Sequence, residues 1–268
     1  MAVLIDYYVS LNSPWTHLGA ARIEALAAQH GAELRIWPVD FGTIFAGSGG
    51  LPLPKRSPQR QAYRMQELQR WRDALSIPIK LQPKYFPANE LPGAAAVIAL
   101  RETQGHAPAI RLAHRILKAL WQEDQDTGDA ATLAALMRDC GLDADALLRL
   151  AEDPRWPEQR KADTAAALER GVFGAPSYVI GEDIFWGQDR LEFVAKRLSK
   201  AGLIDHFNFK NSIFTLARRS TGDCQFLDAK GRHCTVYANR PNTCRTHPQV
   251  GPKPGFCPYG PLAQSRQN

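Results

Sequence analysis

The stretch that most constrains this chain is Val3-Leu4-Ile5-Asp6-Tyr7-Tyr8-Val9, followed at once by Ser10-Leu11-Asn12-Ser13-Pro14. The first seven residues are almost wholly apolar and lack polar alternation. They have the length of a strand and read as one buried on both faces. Pro14 suits the first turn of a helix, where its missing N–H costs nothing. Helix is expected from about Trp15 to His30, with Gly31 as its stop. Leu18, Ala21, Ala25 and Ala28 are expected on its packed face. A buried strand thus carries the Ser13 hydroxyl to the positive end of a helix, where free N–H groups and the dipole favour an anion. Read alone, Ser13 is more often a plain N-cap, since most Ser residues before helices only cap them.

The rest of the chain extends this opening. Glu33–Val39 reads as a second strand. Six Gly and Pro residues between positions 41 and 56 predict an irregular loop. Ser57-Pro58 starts a helix carrying Tyr63, Leu68, Trp71 and Leu75 at helical spacing, and residues 81–87 form a loop. Helices are expected over 91–103, 107–122, 130–140, 144–151 and 157–170, with breaks at Gly105, Gly128, Gly141 and Asp153-Pro154. Two short strands about the turn residue Gly181 and a closing helix from Gln188 to Leu198 complete the order. The pattern is β-α-β, a helical insert, then β-β-α, an α/β arrangement with a mixed sheet.

A strand followed by C-P-x-C at a helix start is the active-site arrangement of DsbA-type thioredoxin-like oxidoreductases. Here Ser13 and Thr16 stand at the two cysteine positions. Ser-Pro-aromatic at this point resembles kappa-class glutathione transferases and 2-hydroxychromene-2-carboxylate isomerases. Gly171-Val172-Phe173-Gly174-Ala175-Pro176 resembles the segment before the cis-proline of thioredoxin-like proteins. Trp186-Gly187-Gln188-Asp189-Arg190 resembles their G-x-D-R. Residues 52–60, Leu68-Gln69-Arg70-Trp71 and Ile77-Pro78 add to the likeness with the isomerases, which spans about residues 3–200. One departure is clear: the family usually carries Asn before the proline pair, and this chain has Gly50-Leu51-Pro52.

The resemblance implies a thioredoxin-like α/β fold with a large all-helical insertion. Its first half would be residues 1–40, the insert 41–170 and the second half 171–202. It implies Ser13 as the catalytic residue, facing the sulfur of bound glutathione. Ala175, Pro176, Gln188, Asp189 and Arg190 would hold the tripeptide, with Asp189 suited to the glutamyl ammonium. Trp15 and Arg60 would lie on the side of a small aromatic substrate, Arg60 falling near a family lysine. Kappa-like relatives imply a homodimer.

The remainder differs. Net charge is +6, yet residues 203–268 hold nine Lys/Arg and three Asp/Glu, a surplus of six, so residues 1–202 are neutral. The basic charge therefore gives the main domain no nucleic-acid character. After a linker over 203–220, Cys224, Cys234, Cys244 and Cys257 crowd into 221–260. With Val236–Pro241 and Cys244-Arg245 they resemble the CxxCxxCC family of proposed zinc- or iron-chelating domains. Clustered thiols in a chain without a basic-hydrophobic leader suggest metal over disulfides, and a cytoplasmic setting. Cys140 stands apart in a helical stretch. No apolar run reaches membrane-spanning length.

Three functions remain open. The leading one is a glutathione-dependent isomerase. A kappa-type transferase or peroxidase differs only in its acceptor. A metal- or nucleic-acid-binding protein would act through the tail. A disulfide oxidoreductase is disfavoured, because no C-x-x-C occurs in the chain.

Overall fold

In the computed structural model, residues 2–201, 204–208 and 213–216 are described. Contacts divide the chain into two units, Met1–Arg197 and Leu198–Asn268.

The first unit begins with β1 (Leu4–Val9), α1 (Pro14–His30) and β2 (Glu33–Pro38). β1 and β2 are parallel, with Tyr7 opposite Ile36. β3 (Ser177–Ile180) lies antiparallel on the other side of β1, and β4 (Asp183–Trp186) lies antiparallel to β3. The sheet order is β2-β1-β3-β4. β1 is therefore central, which explains its almost wholly apolar run: every residue from Ile5 to Val9 is buried. Asp6 is buried too, and is tied to Arg35 at 2.6 Å, Arg170 at 2.5 Å and the Trp37 indole at 2.9 Å. Those partners compensate a carboxylate that burial alone would penalise. Tyr7 stacks on Tyr178 across the β1–β3 pair, ring centroids 5.3 Å apart.

Between the halves run α2 (Phe41–Ser48), a single 3-10 turn (Leu53–Lys55), α3 (Pro58–Leu75), α4 (Leu91–Gln104), α5 (His106–Trp121), α6 (Ala130–Asp139), α7 (Ala144–Ala151) and α8 (Arg155–Glu169). The buried stripes Ala94, Val97, Ile98, Arg101 and Leu112, Ile116, Ala119, Leu120 lie where helical spacing puts them.

Two expectations need correction. Residues 41–48 form a helix, despite Gly42 and Gly47. Asp40 caps it by accepting from the Gly42 N–H, and Phe41 and Ile44 bury themselves in a cluster with Tyr8, Val39, Ala167, Val172 and Val179. Burial of two large side chains outweighs the roughly 1 kcal/mol that each helical glycine costs. On α1 the packed face is Thr16, Ala20, Ile23 and Ala27, whereas Ala21, Ala25 and Ala28 are exposed. Alanine has too little apolar surface to fix a helix's rotation, and Ile23 decides it.

α9 (Leu191–Ala201) follows a 3-10 turn over Gln188–Arg190. In the second unit, where a linker is expected, β5 (Ile204–Asn208) and β6 (Ile213–Leu216) pair antiparallel. Cys224, Cys234, Cys244 and Cys257 lie outside the described residues.

Candidate active site

The topology gathers the three sequence motifs at one end of the sheet. β1 ends at Val9 and leads into the loop before Ser13. β3 is antiparallel to β1 with Ser177 opposite Tyr8, so Pro176 lies at that same end. Ser177 is also opposite Trp186, which brings Gly187–Arg190 there as well.

Ser13 is the N-cap of α1. Its Oγ accepts from the Thr16 N–H at 3.1 Å, and its carbonyl accepts from the His17 N–H at 3.1 Å. The capping and functional readings are compatible, because capping uses an oxygen lone pair and leaves the hydroxyl proton free. Pro14 has no N–H. The Trp15 N–H thus remains the one first-turn donor without an acceptor among the described residues. Two donors, Ser13 Oγ–H and Trp15 N–H, stand at the positive end of a 17-residue helix. The Thr16 side chain is fully buried and its hydroxyl lacks a partner among the described residues. His17 is pushed down to about 4 by burial, with the charges of His114 and Lys118 acting the same way. Its Nε2 accepts from the Gln122 amide at 2.9 Å. The first turn of α1 therefore carries a neutral imidazole at pH 7.

The Ala175–Pro176 peptide is cis, as its motif implies. The Pro176 carbonyl accepts from the Gly187 N–H at 2.9 Å. Gly187 adopts φ 104°, ψ 149°, a region open essentially to glycine. A side chain there would also collide with the Asp189 carboxylate. The Gln188 side chain is buried and accepts from Arg22 Nη1 at 2.5 Å, so it faces the scaffold. Asp189 is half-exposed and pairs with Arg190 at 2.6 Å. Gln188 packs against Gly19, where an added Cβ would lie 2.6 Å from the Tyr178 hydroxyl and 3.1 Å from Gln188 Cβ. Only glycine lets the 188–190 turn approach α1 this closely.

Trp15 is partly buried and packs against the core cluster of Leu18, Leu68, Ile79, Leu117, Leu120 and Trp121, as do Met65, Trp71 and Phe86. Arg60 lies in the first turn of α3, exposed. Gly49, in a left-handed conformation, ends α2, and Leu51, at the position where the resembled family carries Asn nearby, is exposed. Two features carried no sequence signal. Asn12 clasps Ala88, donating to its carbonyl at 2.9 Å and accepting from its N–H at 3.0 Å. The Phe86–Pro87 peptide just before it is cis. No cluster of three or more metal-ligating side chains occurs among the described residues, and none of their helices is long and apolar enough to cross a membrane.

Comparison with known proteins gives a consistent picture. Residues 4–199 match the DsbA-like thioredoxin domain family, and residues 190–261 match the CxxCxxCC family of proposed zinc- or iron-chelating domains. A 2-hydroxychromene-2-carboxylate isomerase from Sphingobium xenophagum is 33% identical over 201 residues, covering 74% of this chain and 99% of the relative. A solved 2-hydroxychromene-2-carboxylate isomerase superposes with a TM-score of 0.63 at 25% identity, over 74% of this chain and 95% of that one. The cytosolic disulfide reductase DsbM from Pseudomonas aeruginosa, determined with glutathione, shares the fold at 18% identity. Its TM-score is 0.52, over 74% of this chain and 98% of that one.

Proposed function

Because this chain belongs to the DsbA-like thioredoxin family and, within it, to the 2-hydroxychromene-2-carboxylate isomerases, we propose that it isomerises such an aromatic carboxylate through the thiolate of bound glutathione. The observation that carries this reading is the pair of unspent donors at the start of α1, Ser13 Oγ–H and Trp15 N–H. A sulfur anion placed there gains two hydrogen bonds and the favourable end of the helix dipole. Thiols at such positions titrate below their free value near 8.5. The protein supplies no thiol of its own at this place, so a borrowed one is needed, and DsbM with glutathione makes that tripeptide the natural one to test.

Nearby groups suit the rest of the tripeptide. The cis-Pro176 segment offers backbone groups for the cysteinyl portion. Asp189 offers its carboxylate to the glutamyl ammonium, competing with Arg190 for it. The Arg190 guanidinium and the N–H groups of Gln188 and Asp189 suit the glutamyl carboxylate, the Arg190 N–H being donated to the Gly187 carbonyl. Gln188 acts from behind, its side chain held by Arg22. Trp15 and Arg60 face the aromatic substrate.

The reaction needs no net oxidation. 2-Hydroxychromene-2-carboxylate is a cyclic hemiketal, and ring opening gives a phenol bearing a cis double bond conjugated with a ketone. The thiolate adds to the carbon beta to that ketone, forming a C–S bond while the double-bond electrons move to the carbonyl oxygen as an enolate. The former double bond, now single, rotates. The enolate then collapses, the C–S bond breaks, and the thiolate is released with the trans alkene formed. Ser13 stabilises the sulfur anion at both ends of the cycle and never bonds to carbon.

Turnover of 2-hydroxychromene-2-carboxylate is expected only with glutathione present. S-methylglutathione should bind in competition and support no turnover. A full rate without any thiol would end this reading. In the C-terminal segment, the four thiolates of Cys224, Cys234, Cys244 and Cys257 are a donor set suited to one zinc or iron ion.

A further inference from the structure

One arginine, on α3, is half-buried and pairs with no carboxylate among the described residues. Arg64 projects from α3 with its guanidinium carbon 5.4 Å from the centre of the Phe86 ring and 6.0 Å from that of Trp121. Its recorded hydrogen bond is a long contact of 3.8 Å from Nη1 to the Met65 sulfur. Among the described residues it makes no ion pair, whereas the buried Arg101 and Arg160 pair with Asp163 at 2.8 Å and Glu90 at 2.5 Å. The neighbouring cations deepen the imbalance. Arg56, Arg60 and Arg64 follow at four-residue intervals, and none of the three forms an ion pair with a described carboxylate. The Arg56 guanidinium donates from Nε to the Leu51 carbonyl at 2.8 Å. Burial and the Arg56 charge pull the Arg64 guanidinium down to about 10. Arg64 thus keeps most of its five N–H groups available to a ligand, in a setting less solvated than open surface.

Its surroundings define what would satisfy it. Phe86 and Trp121 belong to the apolar cluster that also contains Trp15, two residues beyond Ser13. The clasp between Asn12 and Ala88 fixes the Phe86 segment to the loop that carries Ser13. Trp15 at the start of α1 and Phe86 beneath the Arg64 guanidinium thus pack on one and the same core cluster. A planar aryl ring fits their faces, and a carboxylate fits the two-pronged fork of the guanidinium.

Resting on the function proposed above, we infer that Arg64 receives the carboxylate of the aromatic substrate while Trp15 and Phe86 flank its ring. Arg64 thereby selects aryl carboxylates over neutral aromatics. Glutathione also carries carboxylates, and the experiment separates the two sources.

The probes are cinnamate, which has a ring, a conjugated double bond and a carboxylate, and its neutral isostere cinnamamide. Calorimetric titration of each into the full-length protein, with and without glutathione, needs no variant. Cinnamate should bind on the order of tenfold or more tightly. Arg64→Met, close in volume and uncharged, should erase that preference. Arg64→Lys, a point charge without the fork, should keep part of it. In turnover, Arg64→Met should raise KM for 2-hydroxychromene-2-carboxylate on the order of ten- to a hundredfold with a smaller change in kcat. Equal binding of the two probes by the wild type overturns the inference, as does a preference that survives in Arg64→Met. A weaker affinity for glutathione in Arg64→Met also overturns it, by assigning the guanidinium to the tripeptide. Glutathione-independent turnover would defeat the proposed function alone, because the cinnamate comparison without glutathione still decides the carboxylate site.

Discussion

The Pro176 carbonyl and the Gly187 N–H are joined by a 2.9 Å hydrogen bond, which locks the cis-proline segment to the turn that presents Asp189. The bond requires the backbone of Gly187 at φ 104°, beyond reach of residues with a side chain. Gly187→Ala should lower stability by about 1–3 kcal/mol. It should also weaken glutathione binding by displacing Asp189. Asp189→Asn keeps the turn and removes the charge, so it should raise the glutathione requirement with little effect on the melting temperature or on the rate at saturation. Thermal melts together with glutathione titrations check both. Unchanged binding in the two variants would separate this turn from the tripeptide.

Ser13 caps α1, and the thiolate-stabilising role proposed for it has a different signature. Ser13→Ala removes the cap of α1 and should cost about 1 kcal/mol of stability, a fall in Tm of roughly 2–4 °C for a domain of this size. It also removes the donor to sulfur, an interaction with an ionised group worth roughly 1.5–3 kcal/mol. Turnover should therefore fall on the order of ten- to a hundredfold, with glutathione affinity much less affected. Ser13→Cys places a thiol at the same helix end and should form a mixed disulfide with oxidised glutathione, seen by mass spectrometry. A Ser13→Ala enzyme of full activity, with a Ser13→Cys protein that never captures glutathione, would reduce Ser13 to a cap.

His17 makes stability depend on pH. Its folded pKa of about 4 lies below the ordinary value of 6.5, chiefly through burial, with His114 and Lys118 adding to it. Between these values the unfolded chain binds a proton that the folded chain does not, so stability falls as pH drops from about 6.5 toward 4. Above 6.5 this contribution is flat. The full effect is about 3 kcal/mol. His106, lowered by burial and by Arg101 and Arg35, acts with the same sign. Denaturant unfolding at a series of pH values should show the slope, and His17→Gln should make it shallower. Parallel curves for the two proteins would contradict the assignment.

The C-terminal cysteines predict a metal. Full-length protein purified reduced and without chelator should carry about one zinc or iron ion, as a closed four-thiolate site requires. A chain ending at Gly202 retains every residue of the candidate active site. It should bind glutathione as the full chain does and carry no metal. Elemental analysis and titration of both chains check this. Full-length protein free of metal would remove the chelating role.

Much of the candidate site's geometry was legible because its signals are local. An almost wholly apolar run, Ser13-Pro14 and a helical stretch are adjacent in the chain, and the physics of a buried strand feeding a capped helix acts over a few residues. The Ala175-Pro176 and Gly187–Asp189 segments were legible through their resemblance to family motifs, since alone they read as an ordinary proline and an ordinary cap. Their order along the chain then dictated a mixed sheet with all three segments at one end.

What tertiary structure decided is what depends on partners far away in sequence. The glycine-rich segment after Asp40 became α2 because Phe41 and Ile44 found Ala167 and Val172 to pack against. Ile23, set against alanines of little apolar surface, fixed which face of α1 is buried. Gln188 turned to Arg22, 166 residues away, and left the presentation of charge to Asp189. Arg64 reads in sequence as one more solvated charge on a polar helix. It became a half-buried cation without a carboxylate only when Phe86 and Trp121 closed over it. Local propensity and capping specify elements and mark the residues at their ends. Burial and the pairing of charge are settled by which surfaces meet, and that information exists only in the folded chain.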